Sequence, residues 1–304
     1  YTILPFVEET YQQLHAKENL VDKHLFYHIQ ILYYVANSHF RNKNFTTSML
    51  YLETMQKQMQ KYSRKYYKRF YPQYTLLQSL NLNYMGIANQ AITMLQAFDY
   101  SQYKDQISYI LDLRLSLIVF YFQQQQYKEA LHILNDFYHS DIWYTDKAGI
   151  SWVIKKSLIE ILLHIELDHI DLVESRVTSF KKKHREYLKK NKEIRVLSFL
   201  KLITTYYYNK DVINSTEFKD TVIKTLTIPT PQEEDIFEMS FYAWIKSKIK
   251  SQNKNTLPNG ILYLKGGDLT EELSEVRKKH FSYSLPSYFE EEFFETKKVV
   301  QVVI

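Results

Sequence analysis

Between Lys57 and Tyr74 the chain interleaves cations with aromatic rings. Lys57, Lys61, Arg64, Lys65 and Lys68 fall at i, i+4, i+7, i+8 and i+11, which on a continuous helix makes one basic ridge. Tyr62, Tyr66, Tyr67 and Phe70 stand among them. Such a face suits a nucleic acid, whose phosphates pair with lysine and arginine and whose bases stack on rings. The competing expectation is a solvated helix flank whose aromatics pack on neighbouring elements. A second run, Lys181-Lys182-Lys183-His184-Arg185 through Lys192, has the charge without the rings and reads more simply as solvated. His24 and His28, at i and i+4, have a spacing that can chelate a metal. No glutamate follows His24 and no third ligand presents itself, so a structural or surface pair is expected. Asp168-His169-Asp171 falls at a helix break, where such residues form turns and caps. No Gly-x-Ser-x-Gly, phosphate-binding glycine loop or pair of carboxylates in acid–base arrangement is visible. The expectation is therefore no catalytic, cofactor or metal residue, and a binding face of Lys57, Lys61, Arg64, Lys65, Lys68, Tyr62 and Tyr66.

Helices must hold those side chains, and the apolar pattern supplies them. Leu111 to Tyr138 reads as two helices joined by a polar break at Gln123–Gln126. In the second, Tyr127, Ala130, Leu131, Leu134, Phe137 and Tyr138 form one stripe of 3.6-residue period, with Lys128, Glu129, His132, Asn135 and Asp136 opposite. The first, Leu113 to Phe122, is apolar nearly all round and needs cover on both sides. The pattern recurs at 27–40 with 45–61, 73–85 with 86–98, 152–167 with 170–183, and 194–208 with 215–226. The first stripe residues of the second helices are Phe45, Ile87, Tyr127, Ile170 and Ile213, at steps of 42, 40, 43 and 43. One such hairpin cannot bury its apolar face alone, so like copies must flank it. Thr230-Pro231-Gln232-Glu233 is a capping box ahead of a stripe from Ile236 to Ile245, expected to close the last hairpin. Residues 251–256 are polar and aperiodic, as a linker would be.

Ala36, His39 and Phe40, the small residues Ser48 and Ala130, and the Tyr127-x-x-Ala130 helix start resemble the tetratricopeptide (TPR-like) helical-repeat family over about residues 20–250. The resemblance implies an all-α, right-handed α-α superhelix spanning residues 1–250. A protein or peptide partner would lie in its concave face, which Tyr33, Tyr34, Tyr51 and Tyr206–Tyr208 could line, although core packing explains most of these residues equally well. The period near 42 departs from the usual ~34 of that family, and its glycine and proline positions are mostly unfilled. Longer helices or an armadillo/HEAT-like hairpin therefore stay open.

Composition narrows the classes. There is no cysteine, which removes disulfides, thiol nucleophiles and cysteine-held zinc and permits a reducing compartment. No apolar run approaches the ~20 residues of a membrane span and no leader pattern opens the chain, so a soluble, cytoplasmic protein is expected. The 27 tyrosines and 18 phenylalanines favour large ring contacts between helices. From Leu257 onward six basic residues meet eight acidic, leaving 33 against 26 before it. That excess is weaker than the footprint of a dedicated nucleic-acid binder.

From Leu257 the pattern becomes that of an α/β segment. A turn and a short apolar run come first, then a helical pattern at 269–279, alternation at 280–285 and a β-branched strand at 299–304. Pro258-Asn259-Gly260-Ile261-Leu262-Tyr263-Leu264-Lys265-Gly266-Gly267 and Phe289-Glu290-Glu291-Glu292-Phe293-Phe294-Glu295-Thr296-Lys297-Lys298-Val299-Val300 are similar to the C-terminal end of the bacterial small-subunit (16S) rRNA guanine-N7 methyltransferases. The resemblance implies that residues 257–304 are the final strands of a seven-stranded fold that takes S-adenosylmethionine. The family's glycine-rich cofactor loop has no counterpart here: residues 1–256 hold only Gly86 and Gly149. Three expectations stand: a non-catalytic interaction scaffold, an rRNA methyltransferase incomplete in this chain, or a gene fusion or misjoined frame. If the tail is genuine, Val299 to Ile304 is an unpaired apolar strand and an association hazard.

Overall fold

The computed structural model describes residues 3–16, 24–226, 236–254, 260–266, 268–275, 280–287 and 295–303. Turns of one construction set the rhythm of its helical part. Lys43 (φ 64°), Gly86 (86°), Gln125 (59°), Asp168 (54°) and Lys192 (61°) each stand in the left-handed region just past a helix end. In each turn two amides double back on the helix just finished. Lys43 donates to the Phe40 carbonyl and Asn44 to that of His39, both at 2.9 Å, and the same pair of bonds recurs at the other four. This is the Schellman closure, which satisfies carbonyls that a helix end leaves without partners. Glycine fills only one of the five left-handed positions. The repeat is therefore carried by backbone geometry more than by residue identity.

Between these turns lie the hairpins α2 (Leu25–Arg41) with α3 (Phe45–Met59), α5 (Tyr67–Tyr84) with α6 (Ala88–Gln96), α7 (Ile107–Gln123) with α8 (Tyr127–Asn135), and α10 (Ile150–Glu166) with α11 (Ile170–Lys190). α1 (Ile3–Ala16) precedes them; α12 (Ile194–Tyr208) and α13 (Thr216–Leu226) follow. Contacts run between neighbours: α2 on α3 and α5, α5 on α6 and α7, α7 on α8 and α10, α11 on α10 and α12. The expected helical region is thus confirmed as predominantly helical and hairpin-built. α7 shows why: Leu113 and Leu115 to Phe122 are all buried, as its all-round apolar sequence demanded. Each large apolar side chain among them removed from water contributes about 1.5–3 kcal/mol.

Several boundaries differ from the sequence expectation. Tyr138 is 83% exposed because α8 stops at Asn135. An additional helix, α9 (Asp141–Ala148), follows, capped by the Ser140 hydroxyl accepting from the Trp143 amide. Ile87 and Ile170 are exposed: Ile87 stands just ahead of α6 and Ile170 is the first residue of α11, so both precede the inward stripe. The capping box at 230–233 lies outside the described residues.

The helix after it, α14 (Ile236–Lys254), includes residues 251–254, which had been expected in a linker. Its first part does more than close the last hairpin. The Ser240 hydroxyl meets the Tyr84 hydroxyl at 2.7 Å and accepts from Gln123 Nε2 at 3.0 Å. The Trp244 indole donates to Glu166 and stands edge-on to Tyr206, ring centroids 5.8 Å apart. These partners sit at or near the C-terminal ends of α5, α7, α10 and α12.

The chain divides into two compact units, Tyr1–Lys210 with Val222–Trp244, and Asp211–Thr221 with Ile245–Ile304. The second contains a three-stranded antiparallel sheet of β1 (Gly260–Gly266), β2 (His280–Ser284) and β3 (Lys297–Val303), in the order β1-β3-β2. The expectation of an unpaired terminal strand is overturned. β3 is the central strand, with Val299 opposite both Leu264 and Tyr283. The helical pattern at 269–279 yields only α15 (Thr270–Ser274), residues 276–279 lying outside the described ones.

Candidate functional site

The basic ridge is not built on one helix. α3 ends at Met59, and the single turn α4 (Lys61–Arg64) carries Tyr62, Ser63 and Arg64 at φ 49°, 54° and 62° before α5 begins at Tyr67. Left-handed backbone costs an L-residue about 1–2 kcal/mol, so packing on either side must hold this kink. Lys57, Lys61, Arg64, Lys65 and Lys68 remain exposed, but on three segments. Most of the rings among them are engaged. Tyr66 packs edge-on to Phe26, Arg64 covers the Tyr67 ring at 3.8 Å, and Phe70 is buried. Tyr62 is half exposed. The five cations therefore do not form the single helical ridge that their spacing predicts, and Tyr62 is the most exposed of the rings among them.

The other candidates fall out structurally. His28 is buried and stacks on Tyr11, while His24 sits at the start of α2. No cluster of three metal-ligating side chains occurs among the described residues. Asp168 supplies a left-handed turn residue and accepts from Lys210 at 2.6 Å. His169 faces His164, their Nδ1 atoms 3.1 Å apart.

The run at 181–185 hides a feature that its charge concealed. His184 lies on the Val177–Phe180–His184–Leu188 stripe and is 3% exposed, its ring edge-on to Phe180. It lines a cavity of about 240 Å³ between α9, α10 and α11. Around that cavity Lys183 donates to Asp141 at 2.6 Å, and Arg176 pairs with Glu160 at 2.6 Å. Lys156, its side chain 12% exposed, stands 3.6 Å from Asp141 and 5.5 Å from the centre of the Tyr144 ring. Burial holds His184 below the usual histidine range, with Lys183 and Lys156 adding to the effect and Asp141 opposing it. Burial alone would raise the Asp141 carboxyl; the Lys183 hydrogen bond and the field of Lys156 hold it below its ordinary value. The signal available in sequence was the 3.6-residue step from Phe180 to His184. Asp141 and Lys156, far off in the chain, gave none.

No protein-family profile matches this chain, and no solved structure does. Curated proteins do match, over a short stretch. The chain is 60% identical over 62 residues to the ribosomal RNA small subunit methyltransferase G of Flavobacterium psychrophilum, which is 20% of this chain and 29% of that protein. The proteins of the same name from Cytophaga hutchinsonii and Parabacteroides distasonis are 53% identical over 62 residues and 48% over 58, covering 30% and 25% of their lengths. The chain thus spans less than a third of the curated relatives it matches. A partial methyltransferase-like segment is what these comparisons establish. No helix among the described residues is long and apolar enough to cross a membrane.

Proposed function

We propose that the C-terminal part of this chain is a piece of a small-subunit rRNA methyltransferase, of the S-adenosylmethionine-dependent guanine-N7 type, joined to a helical region that has no reactive centre. The observation that carries this reading is the 60% identity over 62 residues. A 62-residue match that includes the motifs at 258–300 also takes in residues ahead of Leu257, which favours a junction earlier than residues 251–256. The piece would contribute strands and leave the cofactor loop to be supplied elsewhere. Backbone that approaches a cofactor closely needs glycine. Gly86 and Gly149 both serve helix ends, at φ 86° and 87°. The test is transfer of labelled methyl groups from S-adenosylmethionine to small-subunit particles by the full chain. No transfer above background is expected; turnover at guanine N7 would show that the chain holds a whole enzyme. A cytoplasmic location follows from this reading.

A second reading, a TPR-like scaffold for a protein or peptide partner, is favoured by the recurring Schellman turns and neighbour-to-neighbour packing. Against an open groove stands α14, whose Ser240 and Trp244 already occupy the ends of α5, α7 and α10. A partner would have to dock elsewhere or displace that helix. Nucleic acid on the Lys57–Lys68 face is less favoured, because its rings are mostly spent on packing.

A further inference from the structure

The geometry points to a binding site for a small oxyanion, a phosphate or carboxylate group, in the cavity between α9, α10 and α11. Three observations converge. Neither ring nitrogen of His184 has a hydrogen-bond partner among the described residues, although the side chain is 3% exposed. A buried polar group left so costs about 1–3 kcal/mol, and such groups in folded proteins normally have a partner. The charges around the cavity do not cancel either: Lys156, Arg176 and Lys183 face Asp141 and Glu160, with His184 held neutral by burial. The least compensated cation can be named. Arg176 has Glu160 and Lys183 has Asp141, each at 2.6 Å, whereas Lys156 is mostly buried and reaches Asp141 only at 3.6 Å.

One negative group bound between Lys156 and His184 would meet both needs. It would neutralise the extra charge and accept from the ring nitrogen that carries the proton. The hydroxyls of Ser157 and Ser179 line the same space and supply further donors. At about 240 Å³ the cavity is below the usual ~300–1,000 Å³ of drug-sized ligand pockets, which fits a single oxyanion group.

The experiment uses the full chain, with His184 observed through its side-chain nitrogen resonances while inorganic phosphate, acetate or chloride is added at matched ionic strength. A saturable shift with phosphate, acetate or both, and none with chloride, is expected; the responding ion identifies the group taken. Lys156→Met should weaken binding at least tenfold. Lys183→Gln, at a half-exposed side chain that folding tolerates, should also weaken it by freeing Asp141 to take Lys156. Lys182→Gln, on the same helix but outside this cavity, should leave it unchanged. Circular dichroism establishes that each variant is folded. No saturable shift, an equal response to chloride, or equal weakening by Lys182→Gln would overturn the assignment.

Discussion

His164 carries the clearest residue-scale consequence. It is 5% exposed, and its Nδ1 faces that of His169 at 3.1 Å, so at least one of the two must stay unprotonated to accept. Burial first, then His169 and Arg176, push its pKa down to about 4. An unfolded histidine titrates near ~6.5. Between those values the unfolded chain takes up a proton that the folded chain refuses, so stability falls as pH drops through that window and is complete above it. The loss should reach about 2–3 kcal/mol by pH ~4. Denaturant midpoints compared at both ends of the window should show it, with His164→Leu flattening that dependence. An unchanged slope in the variant would assign the acid sensitivity to other groups.

At the scale of elements, the left-handed turn residues make a separate prediction. Gln125 holds φ 59° at an exposed position where glycine would be free of strain. Gln125→Gly should stabilise by up to ~1 kcal/mol, since the relief of about 1–2 kcal/mol exceeds glycine's extra chain entropy of ~0.5–1. A lower thermal midpoint would contradict it. The same turns explain what was legible in the sequence. The hairpins appeared because their packing faces are constrained: Ser48, Leu52 and Met55 are buried on α3, and Val173, Val177 and Phe180 on α11, each set at helical spacing. α9 did not appear because eight residues are too short to show a period. The basic ridge failed because regular spacing assumes a continuous helix, and the kink at Tyr62–Arg64 has no glycine or proline to announce it. The cavity at His184 failed for a different reason. Its cations read as solvated charge, and only tertiary packing brings Asp141 and Lys156 to them.

For the molecule as a whole, α14 is the element whose role the sequence misplaced. Its stripe was visible, but its partners span the helical part: Ser240 meets Tyr84 and Gln123 at the ends of α5 and α7, while Trp244 meets Glu166 of α10 and Tyr206 of α12. Trp244→Ala should therefore speed amide hydrogen exchange at the ends of α10 and α12 as well as in α14, besides lowering stability by about 3–5 kcal/mol. Exchange changed in α14 alone would mean that the helix merely caps its neighbour. The tail shows the reverse case. Its motifs resemble the methyltransferases to which the chain is similar over 62 residues, while its strand order was hidden until β3 was found between β1 and β2. On the proposed reading, a helical chain without a cofactor loop of its own is joined to a piece of a methyltransferase. Calorimetric titration of the full chain with S-adenosylmethionine tests it most directly. No saturable heat is predicted up to about millimolar ligand; a Kd near ~1 µM, some 8 kcal/mol of binding, would contradict the account.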